Sequence, residues 1–313
     1  MTTLAEWAAI KPLTKLTIPW PAPDERYKAD DGEHVELTRI LGAITVHADY
    51  TTEEQVFAAL NIAKQAEMRR ARPIRLGVLF LPWPTPCAPD SAEAMGEFYA
   101  TYEKWRVIRS ALDASTYRPV VVCLVDTETF DARAEPNGGK IAELYDAYET
   151  FLGAITNCSA VEWYGWGPWP GPCEPDGWCT QKWAVLPFDG QKSVGFELYH
   201  VGEIGLQRDA TRRARALADT RGVAATTAWV SAPGCGRRFT FNDAFQEWVW
   251  DIGPDTRYSA ELGRELYRGW HGARPERFMA QPSRVVFYPH PFNPRIVDPD
   301  RKHLLAFLKA ATE

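Results

Sequence analysis

The sequence lacks the segments that would insert a protein into a membrane or export it. No apolar run approaches the roughly 18 residues that a membrane-spanning helix requires. The N-terminal stretch MTTLAEWAAIKPLTK contains no positively charged segment followed by an apolar run, which is the pattern of a secretory signal peptide. We therefore expect a cytoplasmic protein, or one released without a standard signal peptide, that has no membrane partner.

A basic surface is missing as well. The formal net charge is −6 and the pI is about 5.6, whereas a protein that binds nucleic acid needs a basic face to neutralise phosphates. No G-x-G-x-x-G or Walker A loop follows an early strand-like run, which argues against an open, doubly wound sheet that binds nucleotides. The sequence therefore predicts neither a nucleic-acid partner nor a nucleotide cofactor.

Cysteine is sparse and scattered. The six cysteines include no C-x-x-C pair, and this spacing argues against a structural zinc site. Cys173 and Cys179 are close enough in sequence to bridge one loop, although free thiols are the expected state and the pairing is left open.

Tryptophan, in contrast, is abundant. Many of the 13 tryptophans lie near proline and glycine, in segments that read as loops rather than as periodic elements. Tryptophan rings stack well on the apolar faces of sugars. Large loops also need large side chains for packing, so each tryptophan by itself allows either interpretation.

Eight short runs rich in Val, Ile and Leu predict β-strands, and their near-continuous apolar character is typical of parallel strands buried on both faces. They span 13–20, 41–49, 73–83, 118–130, 159–167, 193–202, 222–234 and 283–292. Helical segments lie between them, one starting with a capping box from Thr51 to Glu54. A final helix is predicted over 298–313, with Asp298 as its N-cap and Pro299 as its first residue.

This alternation predicts an α/β fold, a single (β/α)₈ TIM barrel that occupies residues 1–313 as one domain. Two connections, 168–192 and 232–256, are long and rich in Trp and Pro or otherwise irregular. We expect them at the C-terminal face of the barrel, where loops shape the substrate cleft.

Candidate site residues follow from the alternation of side chains along each strand, because the last inward positions of barrel strands project into the active site. Charged and polar side chains occupy these positions in several of the predicted strands. Because buried carboxylates without partners are rare, their recurrence at these positions indicates a functional site. The candidates of this kind are His47 and Asp49, Asp126 and Glu128, Glu162 and Tyr164, Glu197 and Tyr199, Trp229, and Tyr288 and His290.

The Asp-x-Glu formed by Asp126 and Glu128 resembles the D-x-E that ends the fourth strand in barrel glycoside hydrolases of the chitinase and barrel-lysozyme types. This resemblance implies a glycosidase with a carbohydrate substrate and no cofactor. Glu128 would be the general acid and Asp126 its helper, which orients the 2-acetamido group of the sugar. Tyr199 resembles the strand-6 tyrosine that contacts this group in chitinases.

Two departures from these families affect the expected mechanism. Leu124 stands where the fuller chitinase pattern has a further Asp, and Trp229 stands where the wider retaining clan has its nucleophilic Glu. Glycoside hydrolysis generally needs two carboxylates. Glu197 is therefore the candidate for the second catalytic carboxylate, with Glu162 as the second choice. Glu162 and the remaining candidates are assigned to substrate binding.

Two other functions use the same residues. Asp126, Glu128, Glu162, Glu197 and His290 would suit Mg²⁺ or Mn²⁺ in an isomerase, an aldolase or an enolase-like reaction. A barrel that has lost one catalytic group could instead bind glycan or act in an assembly without catalysis. The sequence leaves the sugar, the linkage, the stereochemical course and the oligomeric state open.

The assignment of Glu128 as general acid predicts the effect of one substitution. Glu128→Gln keeps the shape of the side chain but cannot deliver a proton, so we expect turnover to fall by about 10² to 10⁴ while the fold and ligand binding are retained. The measurement is hydrolysis of chitin, peptidoglycan, and α- and β-glucan fragments beside the wild type. Full activity of the variant on a substrate that the wild type cleaves would refute the assignment.

Overall fold

The computed structural model describes the backbone of most of the chain. The described residues are 2–19, 27–28, 31–81, 88–126, 138–158, 161–164, 169–170, 178–179, 194–197, 204–220, 226–231, 239–242, 247–250, 255–268, 281–288 and 301–313. The helices are α1 (Leu4–Ala8), α2 (Gly32–Leu41), α3 (Glu53–Arg70), α4 (Ala92–Ala114), α5 (Gly138–Thr156), α6 (Ile204–Thr220), α7 (Arg257–Arg268) and α8 (Lys302–Thr312). None of the helices in these ranges combines the length and the apolar character that crossing a bilayer requires.

Eight of the described strands fall inside the segments that the sequence predicts to be strands. The described strands are β1 (Leu16–Pro19), β2 (Ala43–His47), β3 (Arg75–Phe80), β4 (Val120–Asp126), β5 (Val161–Tyr164), β6 (Trp169–Pro170), β7 (Trp178–Cys179), β8 (Val194–Glu197), β9 (Thr226–Ser231), β10 (Phe239–Asn242), β11 (Glu247–Trp250) and β12 (Arg284–Tyr288). Each of the eight predicted runs contains one parallel strand. The four remaining strands form two antiparallel pairs, β6 with β7 and β10 with β11, within the two irregular connections.

The parallel strands form two four-stranded sheets. One has the order β1-β12-β9-β8 and the other has the order β2-β3-β4-β5. All hydrogen-bonded neighbours within both sheets are parallel, as their helical connections require.

The prediction of a closed (β/α)₈ barrel is therefore wrong. β1 lies beside β2, and β5 lies beside β8, but neither pair is joined by a hydrogen-bonded ladder within the part of the chain that the structure describes. An apolar run specifies that a segment becomes a buried strand. Closure of the barrel depends instead on backbone hydrogen bonds between two particular pairs of strands, β1 with β2 and β5 with β8. Three of these four strands have only four residues, so few backbone N–H and C=O groups are available to pair between them.

Each sheet has its own hydrophobic cluster on the face covered by helices. Ile44 and Val46 of β2 join residues of α3, α4 and α5 in one cluster. Ala228 and Val230 of β9 join residues of α1, α2, α6, α7 and α8 in the other. The strands are thus apolar at alternate positions toward the helices, and the intervening positions belong to the opposite face of each sheet. That both clusters belong to a single domain stays a prediction.

Two helix starts differ from the sequence prediction. The N-cap of α3 is Thr52 rather than Thr51, because the Thr52 hydroxyl accepts a hydrogen bond from the backbone N–H of Gln55. Helix α8 begins at Lys302, after Arg301 with a φ of 55°. The left-handed backbone at Arg301 interrupts the helical geometry and separates α8 from the predicted start, and Asp298 and Pro299 lie outside the described residues.

The guanidinium of Arg70, the last residue of α3, forms hydrogen bonds with the segments that lead into β1 and β2. These two strands belong to different sheets and lie side by side. The guanidinium donates to the carbonyl oxygens of Arg39 and Ile40 at 2.8 and 3.1 Å and to that of Leu13 at 2.9 Å. Leu13 precedes β1, whereas Arg39 and Ile40 end the helix that leads into β2. Gly42, with a φ of 85°, lets the guanidinium approach, since a Cβ there would lie 2.4 Å from Arg70 Nη1.

We expect Arg70→Leu to destabilise the protein by about 2 to 4 kcal/mol, because it leaves several carbonyl oxygens without their charged donor. The free energy of unfolding should be measured by urea denaturation. Arg106→Leu is the matched control, since Arg106 is exposed on α4 and pairs with its helix neighbour Glu103. This substitution should change stability by less than about 1 kcal/mol. Equal effects of the two substitutions would contradict the bridging role of Arg70.

Candidate functional site

The backbone register places several predicted site residues at the carboxyl ends of neighbouring strands. Glu162 of β5 is the register partner of Leu124 in β4, and Tyr164 is the partner of Asp126. These positions alternate with Cys123, Val125 and Val161, which belong to the cluster under the helices. Glu162, Tyr164 and Asp126 are therefore assigned by position to the opposite face of the sheet.

The second sheet repeats this arrangement. Glu197, the last residue of β8, is the register partner of Trp229 in β9, and Ser231 is the partner of Tyr288 in β12. Trp229 alternates with Ala228 and Val230, which pack under the helices. These positions too fall on the face away from the helices.

For six of the predicted residues the structure describes the backbone position. Asp126, Tyr164, Glu197 and Tyr288 are the last residues of their strands, and Glu162 and Trp229 each lie two residues before the end of theirs. Glu128, Tyr199 and His290 lie outside the described residues. The catalytic and binding roles given to these nine residues stay predictions.

His47 and Asp49 form the part of the predicted site whose side chains are described. His47 ends β2, and a tight turn follows in which the N–H of Tyr50 donates to the His47 carbonyl at 3.2 Å. This turn directs the Asp49 backbone N–H at Nδ1 of His47, which accepts its hydrogen bond at 3.2 Å. The carboxylate of Asp49 lies alongside, with Oδ2 3.4 Å from the same Nδ1.

Helix α4 supplies charged groups that the sequence analysis did not identify. Nζ of Lys104 pairs with Oδ1 of Asp49 at 2.5 Å. Glu97, Thr101 and Lys104 recur at spacings of four and three and so share one side of α4. Thr101 is buried against Tyr148 of α5, with 3.1 Å between the hydroxyl oxygens. In the sequence, the indication of this role is that polar residues recur at helical spacing beside the buried side of the helix. The sequence alone does not show which strand end these residues contact.

An aromatic ring covers the histidine. The Tyr50 ring lies 4.5 Å from the His47 imidazole, centroid to centroid, at an interplanar angle of 46°. His47 itself is only 5% exposed, whereas Tyr50 is 58% exposed. The imidazole is therefore shielded from water by a side chain that itself faces solvent.

Burial controls the ionisation of this cluster. Desolvation lowers the pKa of His47 to about 4, and this effect exceeds the opposing attraction of Asp49; the charge of Lys104 lowers it further. Desolvation raises the pKa of the Glu97 carboxyl, with Lys104 opposing the shift and Asp49 reinforcing it. At neutral pH His47 is uncharged.

An uncharged, aromatic-covered imidazole beside a held carboxylate suits hydrogen bonding to a neutral polar ligand. Within the ranges that the structure describes, no group of three or more His, Cys, Asp or Glu side chains is arranged to hold a metal ion.

Comparisons with known proteins find no matching family model and no matching curated protein. Among solved structures, the chain is similar to a glucosidase from Croceicoccus marinus. The identity is 11% and the TM-score is 0.48, over 89% of this chain and 60% of the glucosidase chain. The chain thus spans less than two thirds of the length of that protein. A similarity this distant decides neither the fold nor the activity of this chain.

The low pKa of His47 predicts a pH-dependent stability. The unfolded chain, with an ordinary histidine pKa of about 6.5, binds more protons than the folded chain between pH 6.5 and 4. The stability from neutral His47 is therefore complete above about pH 6.5 and is lost as the pH falls toward 4. Between pH 7 and pH 5 we expect His47 to account for a loss of about 2 kcal/mol.

Urea denaturation of the wild type and of His47→Gln at pH 7 and pH 5 checks this value. Glu97, whose raised pKa acts in the opposite direction, is present in both proteins, so it cancels in the comparison. The variant should lose less stability than the wild type on acidification. Equal losses in the two proteins would show that His47 is not responsible.

Proposed function

We propose that the chain is a glycoside hydrolase-like enzyme that cleaves a glycan through carboxylates at the carboxyl ends of its parallel strands. The backbone register of the strand ends carries this proposal. Asp126 ends β4, and Glu162 lies two residues before the end of the adjacent β5, both on the face away from the helices. Glu197 ends β8, which lies beside β5. The three carboxylates thus belong to three strands that lie side by side.

Two carboxyl groups that flank one bond are the chemical requirement of glycoside hydrolysis. One, held protonated, protonates the leaving oxygen; the other activates water or attacks the sugar. In the proposed assignment Glu128 is the acid, Asp126 assists it, and Glu197 or Glu162 is the second carboxylate. No cofactor is needed for this reaction.

The other side chains suit a carbohydrate substrate. Sugar hydroxyls are neutral groups that both donate and accept, and an uncharged His47 can meet them without the cost of burying a charge. Trp229, Tyr164 and Tyr288 offer aromatic faces for sugar rings. The proposed binding residues are His47, Asp49, Tyr164, Tyr199, Trp229, Tyr288 and His290. The assay described below identifies the sugar.

Paired substitutions test the second carboxylate. We expect either Glu197→Gln or Glu162→Gln to lower turnover by about 10² to 10⁴, because the amide cannot act as base or nucleophile. The other variant should mainly raise KM. Glu143→Gln, which changes an exposed carboxylate on α5, is the control and should keep wild-type turnover.

The assay uses the chitin, peptidoglycan and glucan panel, with and without EDTA. Activity that vanishes with EDTA and returns with Mg²⁺ or Mn²⁺ would favour the metal-dependent alternative, in which Asp126, Glu128, Glu162, Glu197 and His290 are ligands. Binding of a glycan without hydrolysis by the wild type would instead favour the non-catalytic alternative. Full activity of both carboxylate variants would refute the proposed roles.

A further inference from the structure

The protonation state of His47 follows from its hydrogen bonds. A neutral imidazole has one nitrogen that donates and one that accepts. The N–H of Asp49 donates to Nδ1 of His47, so Nδ1 must be the acceptor and the ring proton must be on Nε2. The opposite tautomer would direct two hydrogens at each other and would leave the Asp49 N–H without its acceptor.

The Asp49 carboxylate could in principle reverse this arrangement. Its Oδ2 lies 3.4 Å from Nδ1 and has no hydrogen-bond donor in the described part of the chain. A proton on Nδ1 could therefore be attracted to Oδ2, which would turn the pair into a charged histidine-aspartate couple. The hydrogen bond from the Asp49 N–H to Nδ1 can persist only if the charged state of His47 is disfavoured.

Burial of the ring disfavours the charged state, and Lys104 adds to this effect in two ways. Its ammonium group pairs with Oδ1 of Asp49, which offsets the negative charge near the ring and holds the aspartate in place. Its own positive charge also disfavours a positive imidazole. Among the described residues, the charges that act on the ring are those of Asp49 on the turn and Lys104 on α4. Glu97 of α4 interacts with these two charges.

We propose that Lys104 is a positioning residue whose ion pair with Asp49 acts together with burial to keep His47 neutral, with its ring proton on Nε2, so that His47 acts as a hydrogen-bond donor and not as a base. Nδ1 faces the Asp49 N–H, so the Nε2 donor is directed away from Asp49. An N–H donor binds an oxygen acceptor, and the identification of that acceptor as a carbohydrate oxygen rests on the proposed function.

Nuclear magnetic resonance of the full chain, labelled with ¹⁵N at histidine, reads this state without any assay of activity. His47→Gln identifies the signals of His47 among the six histidines. At pH 7 the long-range ¹H–¹⁵N correlations should show a proton on Nε2 and a bare Nδ1. A proton on Nδ1, or a charged ring at this pH, would overturn the proposal.

Substitutions of the two charged partners should shift the His47 titration in opposite directions. Lys104→Met should raise the pKa of His47, because desolvation alone then opposes the attraction of Asp49. Lys104→Arg keeps the charge and should restore most of the wild-type value. Asp49→Asn should lower the pKa and leave the proton on Nε2, since the backbone donor remains.

Lys64→Met, on an exposed lysine of α3, is the control and should leave the titration unchanged. An unchanged His47 titration in folded Lys104→Met would overturn the role of Lys104. If that variant does not fold, Asp49→Asn decides through its opposite shift. Addition of cellobiose, maltose or N,N′-diacetylchitobiose should perturb the Nε2 signal; failure of all three sugars, with the tautomer as stated, would count against the proposed function alone.

Discussion

The hydrogen bonds of the Arg70 guanidinium join the segments that lead into β1 and β2, the strands at which the two sheets meet. Arg70 lies at the end of α3 and reaches carbonyl oxygens on both sides of the gap between β1 and β2. Desolvation and the nearby charges of Arg72, Arg75 and Arg39 lower the pKa of Arg70, so these electrostatic effects oppose its charge. The carbonyl oxygens supply the compensating negative potential, and they are in reach because Gly42 carries no Cβ.

The second constraint is the separation of the two faces of each sheet. Helix-facing positions are apolar and merge into the two core clusters. The intervening positions are free of that requirement, and toward the strand ends they include Asp126, Glu162 and Glu197. Parallel strands bring such ends to one edge, so alternation along each strand and parallel pairing between strands together assemble the candidate site.

The tautomer and charge of His47 are set by groups from other parts of the fold. A histidine on a buried strand would ordinarily allow either tautomer. The turn after β2 places the Asp49 amide against Nδ1, and α4 places Lys104 against the Asp49 carboxylate. Two segments that are distant in sequence, the end of β2 with its turn and helix α4, therefore set the state of one imidazole.

The positions of the parallel strands and the strand-end candidates could be predicted from the sequence, because burial on two faces and side-chain alternation are properties of consecutive residues. The one-residue error at Thr52 arose because two adjacent threonines could serve as the N-cap, whereas α8 begins only after the left-handed backbone at Arg301. The closed barrel was wrongly predicted, since backbone hydrogen bonds between β1 and β2 and between β5 and β8 depend on how strands meet and not on how apolar they are. Lys104 and Glu97 joined His47 and Asp49 only in the tertiary structure, because the packing of α4 against the end of β2 is decided by the whole helix layer. The sequence by itself determined which residues alternate toward one edge; only the folded chain decided which charges lie within a hydrogen bond of them.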